Sequence, residues 1–219
     1  MAIERAVYTT KISLQARTVL RKGDRLIVSA PPAALRPLIR KLAERFGCRS
    51  VLDVGTGLMN SLALVPCPVK IGLEAHRPYL LNRTNRDGIP INASAQRLED
   101  LFVPGAVDLV TLIDVLEHFT PEDALDVLRQ SETVAARLVM LFTPRGEFPQ
   151  AGFDAFGLGG EKYQEHRSAW EPDDLVDLGY RVIVLEGYHG PGNQSFVEAF
   201  GDSATPVDAL LAFKRTASS

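Results

Sequence analysis

The chain has 219 residues, carries a net charge of −3 at neutral pH, and is 46% hydrophobic and 23% charged. That length suits one full-sized domain, and the near-average composition argues against disorder, collagen-like repeats and a coiled coil. No apolar run approaches the roughly 20 residues that span a bilayer, and the amino terminus shows no apolar signal core, so the expected address is the cytoplasm.

Two cysteines, Cys48 and Cys67, make neither a disulfide framework nor a metal knuckle. The charge is unevenly spread: residues 1–50 hold 11 Lys/Arg against 3 Asp/Glu, and residues 51–219 hold 13 against 24. The basic excess reads first as the solvated faces of amphipathic segments, and second as a docking face for an anionic substrate or acidic partner. No base-stacking aromatics interleave with those basic residues, so nucleic acid is not an expected partner.

Residues 1–30 read as an amino-terminal extension that a helix, a lid or an extra strand would equally satisfy. Pro31-Pro32 followed by Leu35, Leu38, Ile39, Leu42 and Phe46 predicts a helix that Gly47 stops. Ser50–Val54 is a short buried strand ending in a glycine turn, Val69–Glu74 a second with Pro78 in the first turn of the next helix, and Ile89–Asn92 a third. Val107–Ile113 is the fourth strand. Thr120-Pro121-Glu122-Asp123 then opens a helix, with Thr120 as cap and the acids near the positive end of its dipole. Ala136–Thr143 follows as the fifth strand, Trp170–Leu178 as a helix closed by Gly179, and Arg181–Glu186 and Ala209–Lys214 as two last strands.

Strands alternating with helices at this spacing imply an α/β fold with a mostly parallel sheet and helices on both faces. Ligands of such sheets sit at the carboxyl ends of the strands, here just after residues 54, 74, 92, 113 and 143. One connection is abnormally long. Residues 144–168 hold five glycines (146, 152, 157, 159, 160) and three phenylalanines (148, 153, 156), together with Tyr163 and His166. Loops that long inside compact domains are usually functional, so this one is expected to be a substrate lid.

The strongest local signal is Asp53-Val54-Gly55-Thr56-Gly57 at the end of a strand, with Glu74 following 21 residues after Asp53. The glycines let a ligand approach the backbone, and an acid at Glu74 can accept from both hydroxyls of a ribose. A carboxylate in the glycine turn would repel a pyrophosphate, and the third glycine of the dinucleotide fingerprint is replaced by Asn60. A phosphate-free, cationic nucleoside fits better. S-adenosylmethionine, with its sulfonium and ammonium groups, is such a molecule.

These residues, with Asp114-Val115-Leu116-Glu117-His118, the Thr143–Gly146 turn and His166–Trp170, resemble the motifs of the class I S-adenosylmethionine-dependent methyltransferases. The resemblance covers roughly residues 35–215. It implies a three-layer αβα Rossmann-like sandwich whose seven-stranded sheet has its last strand antiparallel. It also implies a donor site made of Asp53, Gly55, Thr56, Gly57, Glu74, Ser94, Ala95, Asp114 and Glu117. In that scheme Asp53, Gly55 and Gly57 contact the methionine end, and Ser94-Ala95 lies beside the adenine. Ser94 replaces the aspartate that relatives often carry, and Met59 stands where many have a third glycine.

The Asp114–His118 segment would lie beside the transferable methyl group. An oxygen acceptor needs a base, for which His118, His166 and then Tyr163 are the candidates, with His189 behind them. Glu117 and His118 offer two ligand atoms for a divalent ion, but no third ligand at diagnostic spacing is visible, so no metal is expected. The expected activity is methyl transfer to a small-molecule or glycan acceptor, most simply an oxygen. The alternatives are a catalytically silent binding or scaffold protein of the same fold and an NAD(P)-dependent oxidoreductase.

Overall fold

The computed structural model describes residues 19–22 and 25–216. Its strands are β1 (Val19–Lys22), β2 (Arg25–Ala30), β3 (Ser50–Val54), β4 (Val69–Glu74), β5 (Ile89–Asn92), β6 (Val107–Ile113), β7 (Ala135–Pro144), β8 (Arg181–His189) and β9 (Val207–Arg215). They form one sheet in the order β1-β2-β8-β9-β7-β6-β3-β4-β5. Strands β3 to β7 run parallel, and β9 is wedged antiparallel between β7 and β8. This is the expected layout, with one correction: the sheet has nine strands rather than seven. The two extra strands come from the amino-terminal extension, where β1 pairs antiparallel with β2, and β2 adds in parallel to the β8 edge. The rest of the extension, residues 1–18, 23 and 24, lies outside the described residues.

The helices are α1 (Leu35–Arg45), α2 (Arg77–Leu81), α3 (Leu98–Leu101), α4 (Pro121–Val134), α5 (Pro172–Asp177) and α6 (Gln194–Phe200). Alternation along each strand sorts the core into two layers. Val110, Leu112, Val139 and Leu141 face Leu98 of α3, Val127 and Leu128 of α4 and Leu175 of α5. Their neighbours Leu109, Leu138, Met140 and Phe142 face Leu35, Leu38, Ile39 and Leu42 of α1. Helix α4 begins as its sequence dictates, Thr120 Oγ1 accepting from the Asp123 N–H at 3.3 Å with Pro121 in the first turn. Arg36, Arg40, Lys41 and Arg45 of α1 are exposed, and Arg36 also lines the cavity described below.

The crossover from β3 to β4 is unusual. Where an α-helix ordinarily follows the glycine turn, residues 55–68 hold only a 3-10 turn, Ser61–Leu64. Met59 takes the left-handed backbone (φ 65°) that a glycine would adopt more cheaply, and its fully buried side chain fills the space beside Gly72 and Gly88. Burying a methionine, worth about 1.5–3 kcal/mol, offsets the roughly 1–2 kcal/mol of backbone strain. No helix among the described residues is long and apolar enough to cross a membrane.

Candidate active site

The strand order reverses around β3, whose neighbours β4 and β6 start the two halves of the sheet. In open α/β sheets that reversal leaves a crevice at the carboxyl ends. Here it is a cavity of about 760 Å³, within the range of roughly 300–1,000 Å³ common to small-molecule sites. Gly55, after β3, has φ +66°, and a Cβ there would lie 2.6 Å from Val115 Cγ2. The glycine turn and the segment after β6 therefore pack directly against each other, and only glycine fits between them.

On one side of the cavity stand Gly57, Glu74, Ser94, Ala95 and Gln96. Glu74 is buried, and both its oxygens are engaged: Oε2 accepts from Gly57 N–H at 2.9 Å, and Oε1 from His76 N–H at 2.7 Å. Burial raises its carboxyl above the ordinary range, and those two backbone donors pull back against the shift. Each oxygen keeps a lone pair for a further donor. Ser94 caps the turn that carries Ala95, its Oγ accepting from Gln96 N–H at 3.3 Å. Thr56 also lines the cavity, with its methyl packed over Gly72.

Asp53 behaves otherwise. It is almost wholly buried beneath the turn and outside the cavity wall, with Oδ1 accepting from Thr111 Oγ1 at 2.6 Å and Oδ2 from Ser61 Oγ. Of the residues the motif assigns to the donor, Asp53 is the one whose carboxylate is bonded on both oxygens to protein hydroxyls. Asp53 is a tie that fastens the 3-10 turn to β6, and burial raises its carboxyl despite the hydroxyl donors.

Across the cavity lies the segment after β6. Asp114 sits at φ 53° and opens onto the cavity, whereas Glu117 is buried, with Oε2 accepting from Thr143 Oγ1 at 2.9 Å. Burial pushes Glu117 up to about 7, and the enclosing protein and then Glu117's charge raise Asp114. The His118 and His166 rings meet edge to face, 5.0 Å between centroids. Burial lowers both; for His166, burial and then the charge of His118 bring it to about 4.

The long segment after β7 supplies the facing wall. Phe148, Gln150, Phe156, Tyr163, Gln164 and His166 all line the cavity. Asp154 gathers this segment, accepting from Phe156, Leu158 and Gly160 N–H (2.7–3.0 Å) and from Tyr79 Oη at 2.8 Å. Gly160 has no alternative, since a Cβ there would lie 1.9 Å from Tyr79 Oη. The Glu117 carbonyl accepts from Arg167 N–H at 2.7 Å and Ser168 N–H at 3.1 Å, which pins the far end of the wall to the Glu117–His118 turn.

The fold thus brings together His118, His166 and Glu117, with Asp114 in electrostatic reach of Glu117, and sets Tyr163, in the same cavity lining, beside His76. Its ring lies tilted against His76, 5.5 Å between centroids, and His76 N–H donates to Glu74 Oε1. Three ligand atoms, one each from Glu117, His118 and His166, lie within 4.8 Å of one another. The sequence offers no third ligand beside Glu117 and His118; the fold delivers one from 48 residues further along.

His189 is the residue the sequence ranks lowest and the structure promotes. It is 5% exposed, lines the cavity and has no partner for Nε2 among the described residues. Asn193 Oδ1 accepts from Ser195 N–H at 3.0 Å, so its Nδ2 donates to His189 Nδ1 at 3.2 Å. The proton of neutral His189 is therefore on Nε2, a buried donor awaiting an acceptor. Burial, and then the charge of His166, lower its pKa to about 4.

No family model matches this sequence, and no curated protein matches it significantly. Solved structures do. A SAM-dependent methyltransferase from Archaeoglobus fulgidus superposes with a TM-score of 0.52 at 17% identity, over 84% of this chain and 95% of that one. The fold is that of the class I methyltransferases. The magnesium protoporphyrin IX methyltransferase of Synechocystis, solved with bound SAH, shares this methyltransferase fold at TM-score 0.54 and 13% identity, over 85% and 83% of the two chains. The plantazolicin methyltransferase BamL, in complex with a triazolic desmethyl analogue and SAH, shares it at 0.55 and 11%, over 84% of each.

Proposed function

We propose that the protein binds S-adenosylmethionine in this cavity and transfers its methyl group to a small-molecule or glycan acceptor, at an oxygen. The observation that carries this reading is the glycine turn. It opens on the cavity beside Glu74 but leads into a 3-10 turn, so no helix amino terminus is offered to a diphosphate. Glu74 takes the ribose hydroxyls with its spare lone pairs, and Ser94, Ala95 and Gln96 border the adenine. SAH, which is the product left when S-adenosylmethionine gives up its methyl group, occupies two of the structural neighbours, and the shared fold supports the same donor here.

The methyl-bearing sulfur then faces Asp114, Glu117, His118 and His166 across the crevice. Methyl transfer is an in-line displacement at an already activated carbon, so the protein's work is alignment and removal of the acceptor's proton. The acceptor oxygen sits at the Glu117–His118–His166 cluster, with His189 Nε2–H free to hold a second acceptor atom. The wall from Gly146 to Trp170 closes the site against water. A nicotinamide oxidoreductase is disfavoured by the same glycine turn, which gives a dinucleotide's phosphates nothing to bind.

The experiment is an unbiased mass-spectrometric search. Protein plus S-adenosylmethionine, added to a metabolite extract, is expected to yield S-adenosylhomocysteine and an extract component heavier by one CH2. Donor binding with no S-adenosylhomocysteine from any extract would instead favour a silent binding protein.

A further inference from the structure

We infer that Phe142, Phe148, Tyr188 and His189 form an acceptor subsite for a phenol that carries a carbonyl oxygen on the same ring system. His189 Nε2–H holds that carbonyl while the phenolic hydroxyl is methylated. The inference rests on the reading of this cavity as a methyl-transfer site, and it narrows the acceptor from small molecules and glycans to one aromatic class.

This end of the cavity is built of rings. Phe142 and Tyr188 stand 4.9 Å apart between centroids, Tyr188 and His189 5.1 Å, and Phe148 and His189 5.2 Å, and all four residues line the cavity. Phe148 also packs on Phe200 at 5.1 Å and Phe196 at 6.5 Å, which fixes its position before a ligand arrives. A further ring gains edge-to-face and offset contacts on such a surface. A sugar would bring several hydroxyls to walls that leave most of them unpaired, which is costly.

Among these rings is a polar atom without a partner. His189 is buried, and its Nε2 makes no hydrogen bond among the described residues. Asn193 donates to Nδ1 and is itself fixed by Ser195 N–H, so Nε2 carries the proton. A carbonyl oxygen, which only accepts, is its match. A carboxylate suits the place less. Burial and then the charge of His166 keep His189 neutral, while burial and then the charge of Asp114 raise the Tyr188 phenol against the pull of Arg36.

Nε2 is covered by its surroundings, so the carbonyl reaches it by displacing a neighbour. Tyr188 is the neighbour free to turn. It is half-buried and its hydroxyl has no hydrogen-bond partner among the described residues, whereas Phe148 is buried.

The Phe148 ring also lies 5.5 Å from that of His166. A molecule lying along Phe148 therefore has one end at His189 and the other at the Glu117–His118–His166 cluster, where the hydroxyl belongs. The step balances without oxidation or reduction. The hydroxyl proton passes to an imidazole of the cluster, and the freed oxygen pair forms the O–CH3 bond as the C–S bond breaks. That bonding pair stays on sulfur as the thioether. A carbonyl conjugated with the hydroxyl shares the phenolate charge, and the His189 donor stabilises that share, which favours loss of the proton.

The test titrates full-length protein with para-hydroxyacetophenone, para-ethylphenol and methyl glucoside, each in the presence of SAH, read by calorimetry. One site per chain is expected for para-hydroxyacetophenone. Affinity for para-ethylphenol, the same ring without the carbonyl, should be at least about tenfold weaker, and methyl glucoside should not bind at millimolar concentration. His189→Phe keeps a ring and removes the donor. It should bring para-hydroxyacetophenone down to the para-ethylphenol level and leave para-ethylphenol itself within about twofold. In wild-type protein the carbonyl stretch of para-hydroxyacetophenone should move to lower frequency on binding than in an apolar solvent, a readout that needs no variant to fold. Equal affinity for the two phenols, unchanged binding in His189→Phe, no binding of either phenol at millimolar concentration, or tighter binding of methyl glucoside overturns the inference. SAH is also titrated alone. Binding of SAH without either phenol sinks the subsite alone, and binding of para-hydroxyacetophenone without SAH sinks the methyl-transfer reading alone.

Discussion

The two sides of the cavity are built on opposite terms. On the glycine-turn side the acidic groups are already engaged by protein: Asp53 by two hydroxyls, Glu74 by two backbone N–H groups. On the side of the β6 segment, capacity is left open, with two Nε2 lone pairs, one Glu117 oxygen and an orphaned His189 donor. Carboxylates already tied to the protein hold that side in one shape, as recognition of one fixed molecule requires, and leave Glu74's remaining lone pairs and the unpartnered Thr56 Oγ1 to meet it. Unfilled hydrogen bonds cost stability and persist where a transient partner completes them. The contrast separates a surface that selects a donor from one that acts on an acceptor.

Gly55 joins the two sides, so its replacement should have the largest effect. Gly55→Ala puts a Cβ at positive φ and into Val115, and should cost about 2–4 kcal/mol in urea unfolding. A loss below about 0.5 kcal/mol would mean that the two segments do not meet as described. Next is Glu74→Ala, which strips two backbone donors of their acceptor and removes the ribose anchor. SAH affinity should fall by about 2–4 kcal/mol, roughly 30- to 1,000-fold. An unchanged dissociation constant would place the ribose elsewhere.

The smallest effect is expected from Asp53→Asn, which keeps the shape and removes the charge. Ser61 and Thr111 hydroxyls can turn to accept, so stability should fall by about 1–2 kcal/mol in thermal or urea unfolding. Calorimetry should find the S-adenosylmethionine dissociation constant within about threefold of wild type, because this carboxylate lies behind the wall. A far larger weakening would restore the simpler idea that its charge attracts the donor's cationic end.

The same division explains what could be read from the amino acids alone. Buried strands such as Val107–Ile113 and Ala135–Pro144 announce themselves as apolar runs, and caps such as Thr120 mark a helix start, because both depend on neighbouring residues. The antiparallel β1–β2 pair was not legible, since its short strands are interrupted by Arg21, Lys22 and Arg25 and residues 1–30 read equally well as a helix, a lid or an extra strand. Glu74 was identifiable from its spacing after Asp53. The inward turn of Asp53 was not, because it depends on Ser61 and on Thr111 from another strand. Likewise His166 and His189 acquire their neighbours only when the long wall folds back over the β6 segment, contacts that no local pattern encodes.

The most direct measurement is calorimetric titration of the full-length protein with SAH and, separately, with NAD. A single SAH site per chain that Glu74→Ala weakens, with no heat from NAD, is the predicted result. Saturable NAD binding with none for SAH would contradict the account, since a glycine turn without a following helix would then be holding a diphosphate.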